Sequence, residues 1–178
     1  MMGEVSERLK DAWIAPTHVF DGQRLHSGQA IHVVDNHVVE IGKPPKEALA
    51  LKGCLPPGFV DLQVNGGQFG TTSIMPTVIT DAPEVLDMAA EAALAAKDDE
   101  GIIGLHIEGP HISFARRGTH DARFIRPLDE RTMNVVARLC GDGLAVIITV
   151  APEAATPDQI ATLVGLGAIV SIGHTDAD

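Results

Sequence analysis

Two residues carry the strongest chemical signal in the sequence: Glu108, in Gly-Leu-His-Ile-Glu-Gly-Pro, and His174, in Ser-Ile-Gly-His-Thr. Each closes an apolar run of strand length, residues 102–107 and 168–172 respectively. A catalytic Zn²⁺ takes three N, O or S ligands from the protein and keeps one position open for water. A carboxylate and an imidazole at neighbouring strand tips supply two of those three. Taken singly, a Glu here could cap the next segment and a His could be satisfied by backbone groups; together they point to a divalent metal. Polar groups recur at other strand ends, with Gln63 and Asn65 after Phe59-Val60-Asp61-Leu62 and Glu153 after the run 146–150. His106 lies two residues before Glu108, hence on the same strand face, and reads as a hydrogen-bonded supporting residue. The loop Arg116-Arg117-Gly118-Thr119-His120 offers His120 to a substrate, while its two arginines read as solvated. His18, His26, His32 and His37 show no ligand spacing and read as surface or turn residues.

The elements that must position these groups follow a regular grammar after Pro56-Pro57. Apolar runs at 58–64, 72–78, 102–107, 145–150 and 168–172 alternate with segments of helical period. Strands so continuously apolar are expected where both faces are covered, as in a parallel sheet flanked by helices. The helices carry start signals: Ala82-Pro83-Glu84, Pro127-Leu128-Asp129-Glu130 and Thr156-Pro157-Asp158, the last closed by Gly165 and Gly167. Repeated strand–helix units give a barrel or an open doubly wound sheet. No Gly-x-Gly-x-x-Gly follows the first strand, which weighs against a dinucleotide-binding sheet. In a β/α barrel the site is built at the downstream strand ends, where Gln63, Glu108, Glu153 and His174 fall.

Residues 1–55 read differently, as short β-type runs broken by Asp21-Gly22 and Asp35-Asn36, an antiparallel β-subdomain. Residues 56–178 form the barrel-like part. One join conflicts with the grammar: residues 65–70 link two strand-like runs directly, whereas a parallel crossover needs a dozen or more residues. Either these strands are not parallel neighbours or an internal segment is missing. The second alternative is preferred.

Composition narrows the function classes. The chain has 178 residues, 45% hydrophobic and 21% charged, enough for a sizeable core. No run reaches the roughly 18 apolar residues of a membrane helix, and the N-terminus has no apolar signal-peptide core. A net charge of −11, one Trp and no Tyr disfavour nucleic-acid binding. Cys54 and Cys140 fit no metal spacing and suggest a reducing, cytoplasmic setting.

The segments LPPGFVDLQVNGG (55–67), TTSIMPTVIT (71–80), GLHIEGPHIS (104–113), RRGTHD (116–121), TVAPE (149–153) and SIGHTDA (171–177) resemble those of the N-acetylglucosamine-6-phosphate deacetylases, of the amidohydrolase superfamily. His-x-Glu-Gly-Pro, Gly-Thr-His and Gly-His-Thr in that order are a specific combination. The resemblance implies an α/β protein, a partial (β/α)8 TIM-type barrel with a small N-terminal β-sandwich. It implies metal-dependent hydrolysis of the acetamide of N-acetylglucosamine 6-phosphate, by a cytoplasmic homodimer. It makes Glu108 and His174 similar to metal ligands and Thr119 and His120 to a substrate-contacting pair. Gln63 and Asn65 stand where many amidohydrolases carry His-x-His, which implies one divalent ion, Zn²⁺ or alternatively Fe²⁺, Co²⁺ or Mn²⁺, with Gln63 reaching it through water. The resemblance places the catalytic aspartate and a further metal histidine beyond Asp178, so no catalytic residue is assigned in this chain. It also implies that a helix-containing segment is missing near 65–70. Related amidohydrolases acting on another N-acetyl sugar phosphate or a cyclic amide, and a non-catalytic fragment, are the competing readings.

Overall fold

The computed structural model describes residues 10–64 and 71–177, which divide into two units, Met1–Gly58 and Phe59–Asp178. The described residues of the first unit form a single five-stranded sheet. Strand β1 (Asp11–Phe20) pairs antiparallel with β2 (Leu25–Ser27) and β3 (Ala30–Val34), and β3 pairs antiparallel with β4 (His37–Gly42). Asp35 and Asn36 turn the β3–β4 hairpin with φ of 47° and 63°, the mirror-image turn that matches strand twist. The purely antiparallel reading does not hold. Strand β5 (Leu49–Leu55) runs parallel to β1, from Ile14↔Leu49 to Val19↔Leu55. Its apolar residues are spaced too irregularly to announce a strand, and six of its seven residues are exposed. A second sheet packed on it, which a sandwich requires, is absent among the described residues of this unit.

In the second unit five strands pair wholly in parallel: β6 (Phe59–Val64), β7 (Thr71–Ile79), β8 (Leu105–Glu108), β9 (Val146–Val150) and β10 (Ile169–Ile172). Their spatial order is their chain order. A doubly wound sheet reverses its order at a switch point, whereas successive barrel strands do not. The half-barrel reading of this α/β unit therefore stands. Strands β6 and β7 are parallel neighbours, so the first resolution of the short join falls. The segment 65–70 itself, with Asn65, lies outside the described residues.

Three helices cover one face of this sheet: α1 (Pro83–Ala95), α2 (Glu130–Gly141) and α3 (Pro157–Gly165). Asp129 caps α2 by accepting from the Thr132 N–H at 2.8 Å. Thr156 and Gln159 form a reciprocal capping box at α3. Such caps each stabilise a helix by about 1 kcal/mol. Leu86, Ala90 and Ala93 of α1 and Val135, Val136 and Leu139 of α2 share one buried cluster with Leu105, Ile107, Val146, Ile148 and Val150. Fully burying an aliphatic side chain such as Ile107 or Ile148 contributes about 1.5–3 kcal/mol. Strand alternation then sends His106, Glu108 and Thr149 to the opposite face. The helix-facing residues anchor β8 and β9, and the residues between them point to the other side of the sheet.

Candidate metal centre

At the downstream end of the second unit's sheet, Glu108, His120 and His174 each bring a ligand atom within 4.8 Å of the others. Glu108 ends β8 and is 8% exposed, and His120, in the long loop after it, is 6% exposed. His174 follows β10 with φ of 50°, a left-handed conformation rare for a residue with a Cβ. Such a conformation persists only where the surroundings dictate it. Here the Ser113 N–H donates to the His174 carbonyl at 2.9 Å, and the Gly173 N–H donates to that of Val150 at 3.2 Å.

The ring of His174 is fixed as well. Its Nδ1 lies 2.9 Å from the Arg116 carbonyl oxygen, which can only accept, so Nδ1 carries a proton. In the neutral ring Nε2 is then a bare lone pair, and it lies 3.2 Å from Glu108 Oε1. Glu108 Oε1 also accepts from Gln63 Nε2 at 2.9 Å. Two acceptors facing each other at this range repel unless a cation or a proton sits between them. Two ligands of one tetrahedral ion, bound at 2.0–2.2 Å, lie about 3.3–3.6 Å apart. An orienting backbone carbonyl on the far nitrogen is the usual support of a metal-bound imidazole. The donor set therefore fits a divalent ion.

His120 is held through Nδ1, 2.6 Å from Thr80 Oγ1, and its ring meets that of His174 edge-on with centroids 4.6 Å apart. Burial, then the neighbouring His174, push its pKa below the ordinary imidazole value, opposed by Glu108. It is held neutral. Thr80, itself 3% exposed, is a residue sequence reading missed; only its place at the end of β7 hinted at it. Gly109 makes room for this contact. Its φ is 75°, and a Cβ there would collide with the Thr80 hydroxyl.

Below Glu108, His106 is 2% exposed and bonds Thr149 Oγ1 at 2.8 Å and Thr77 Oγ1 at 3.2 Å, joining three strands. Burial pushes its pKa down. A cleft of about 630 Å³ opens over the cluster, lined by Val64, Pro76, Thr77, Ile79, Glu108, Thr119, His120 and His174. The structure thus brings Glu108, His174, Gln63 and His120 together and puts the exposed Thr119 on the cleft wall. Of the two arginines, Arg116 Nε pairs with Asp176 at 2.7 Å, and Arg117 lies over the Phe114 ring.

The chain is 44% identical to the N-acetylgalactosamine-6-phosphate deacetylase of Shewanella sp. over 151 residues, which is 71% of this chain and 38% of that protein. It is 31% identical to the bovine N-acetylglucosamine-6-phosphate deacetylase, over 95% of this chain and 46% of that protein. The N-acetylglucosamine-6-phosphate deacetylase structure from Pasteurella multocida superposes with a TM-score of 0.76 at 27% identity, covering 93% of this chain and 52% of that one. No family model matches. The resemblance read from the motifs therefore holds: the chain is related to the N-acetylglucosamine-6-phosphate deacetylases of the amidohydrolase family. It spans less than half the length of these curated relatives. The alignment to the bovine protein runs over 199 residues, more than the 178 of this chain, so that relative carries residues without a counterpart here.

Proposed function

We propose that this chain, a relative of the N-acetylhexosamine-6-phosphate deacetylases, carries part of the metal-dependent site that hydrolyses the acetamide of N-acetylglucosamine 6-phosphate to glucosamine 6-phosphate and acetate. The carrying observation is the Glu108–His174 pair, two acceptors 3.2 Å apart with the second imidazole nitrogen already taken. Glu108 and His174 would hold one divalent ion, and Gln63 keeps the carboxylate turned toward it. When bound, such an ion polarises the amide carbonyl and lowers the pKa of water from ~15.7 to about 7. Zn²⁺ is the ion we assign; the mixed O/N set also suits Fe²⁺, Co²⁺ or Mn²⁺.

His120 faces the substrate. In the tautomer whose Nδ1 accepts from the Thr80 hydroxyl, the ring carries its proton on Nε2 and can donate to the amide oxygen as negative charge develops there. Thr119 lies beside it on the cleft wall. No described residue is assigned the transfer of the water proton. The internal segment missing near 65–70 and the N-terminal β-sandwich are part of the same reading, as is a cytoplasmic homodimer. Two free cysteines, Cys54 and Cys140, agree with a reducing compartment. No helix among the described residues is long and apolar enough to cross a membrane.

A second substrate reading rests on a specific observation: the 44% identical relative is named for N-acetylgalactosamine 6-phosphate. Acetate release from both sugar phosphates, with Zn²⁺ present, separates the two readings. Release from neither by an enzyme that carries the whole site, while it binds the ion, contradicts the deacetylase reading. In an enzyme that carries the whole site, replacing His120 by Ala should lower kcat/KM by the equivalent of about 2.7–4 kcal/mol, as for a lost oxyanion donor. A change within a few-fold would remove His120 from that role.

A further inference from the structure

The Thr175-Asp176 segment that follows His174 is gripped by a residue outside the metal cluster. Glu153 accepts from the Thr175 hydroxyl through Oε2 at 2.6 Å and from the Asp176 N–H through Oε1 at 2.8 Å. Both carboxylate oxygens are thereby spent on the two residues just past His174. The Glu153 side chain is exposed, but the backbone on either side of it is tied in place. It sits in the short 3₁₀ turn Pro152–Ala154 after β9, whose flanking Ala151 is fully buried and donates to the His111 carbonyl at 2.9 Å. Ala154 in turn accepts from the Leu128 N–H at 2.7 Å. Arg116, whose carbonyl orients the His174 ring, reaches Asp176 Oδ1 through Nε at 2.7 Å. The loops after β8, β9 and β10 are thus tied together around His174. The Asp176 N–H first, then the Thr175 hydroxyl, hold the Glu153 carboxyl down at about 2, so it stays ionised well below neutral pH.

We propose that Glu153 is a positioning residue for the metal centre: by clamping Thr175 and Asp176 it holds His174 in its left-handed conformation with Nε2 turned toward Glu108. The inference rests on the metal reading above. Without the clamp, the segment after His174 keeps only the Arg116–Asp176 pair and the Ser113 bond to the His174 carbonyl, and the backbone relaxes more readily toward negative φ. That relaxation would swing the imidazole off the Arg116 carbonyl and away from the carboxylate. No hydrogen bond runs from Glu153 to Glu108, His120 or His174 among the described residues, so its effect on the ion is indirect.

The test is Zn²⁺ affinity, measured by competition with a chelating dye, together with the thermal midpoint of the same samples. Glu153→Ala should weaken Zn²⁺ binding about 10–100-fold, the range for lost outer-shell support, with the helical fold retained. Thr175→Val, which removes one of the two bonds, should weaken it less, and Thr175→Ser should restore it to within twofold. If Glu153→Ala is unfolded, the Thr175 pair decides alone. Affinities of Glu153→Ala and Thr175→Val within twofold of wild type would overturn the clamp while leaving the metal reading intact. A wild-type protein that takes up no Zn²⁺ would overturn the metal reading itself.

Discussion

The eight histidines divide evenly between the two units, and the two groups behave differently. In the first unit His26 lies 2.7 Å from Asp21, and His32 lies 2.7 Å from Asp11 while stacking on Trp13. In the second unit His174 lies 3.2 Å from Glu108. By distance alone the surface pairs are the tighter ones, yet they form no site. The Asp11 side chain is 74% exposed against 10% for that of Glu108, water competes for the surface partners, and among the described residues no third ligand group converges on them. The second unit spends the outer nitrogen of His174 on a carbonyl, aims the other at a shielded carboxylate and adds His120 at the same point. Proximity of imidazole and carboxylate is therefore weak as a sign of function. What separates the two regions is burial together with a fixed tautomer.

This contrast can be broken most forcefully by removing one carboxylate from each side. Glu108→Ala should weaken Zn²⁺ binding by more than about 100-fold, beyond the outer-shell range, while Asp11→Ala should leave it within twofold. Equal affinities in the two variants would erase the distinction.

A pair of glycines sharpens it next. Gly28 and Gly109 both sit at positive φ, 68° and 75°, but Gly28 faces open space and Gly109 faces the Thr80 hydroxyl. Replacing Gly28 by Ala should cost about 1–2 kcal/mol of left-handed strain. Gly109→Ala adds overpacking and should cost about 2–5 kcal/mol. Urea unfolding can assign the losses, because the single tryptophan, Trp13, reports the first unit and all three helices report the second. Similar losses in the two variants would mean that the Thr80–His120 contact has room to yield.

The smallest expected effect is in pH. His111 is fully buried, donates from Nδ1 to the Arg126 carbonyl and accepts at Nε2 from the Thr132 hydroxyl. Burial pushes its pKa down, while the Arg126 carbonyl and Asp129 push it up and the Arg126 cation adds to the lowering. A pKa lower in the folded than in the unfolded state means the unfolded chain binds its proton first as pH falls. Stability of the helical unit should thus be intact above about pH 6.5 and decline below it, by at most about 1.4 kcal/mol per pH unit for one such proton. His111→Gln should be less stable at pH 7 but show a shallower acid slope. An unchanged slope would assign the pH dependence elsewhere.

How far the sequence revealed all this depended on local signals. Strands β6 to β10 were legible because their runs are apolar throughout, as parallel strands covered on both faces are, although Phe59, Val60, Leu62, Ile169 and Ile172 are exposed here. Helix α3 was legible because Thr156, Pro157 and Asp158 write its start into the chain. Strand β8 begins at Leu105 rather than Ile102, since Gly101, at φ of 89°, turns the chain before it. Glu108 and His174 were legible from strand-tip position. Strand β5 was not, because its parallel partner lies far away in the chain and its residues are mostly exposed. Nor was Thr80, a buried hydroxyl whose role depends on a loop 40 residues later. The doubly gripped Glu153 was visible only as a polar residue at a strand end.

The account turns on Glu108 and His174 meeting at one cation, and X-ray absorption at the zinc edge tests that most directly. Protein loaded with one equivalent of Zn²⁺ should show a light-atom shell at about 2.0–2.2 Å with imidazole scattering, and His174→Ala should lose that imidazole signal. A shell without imidazole, or one unchanged in His174→Ala, would contradict it.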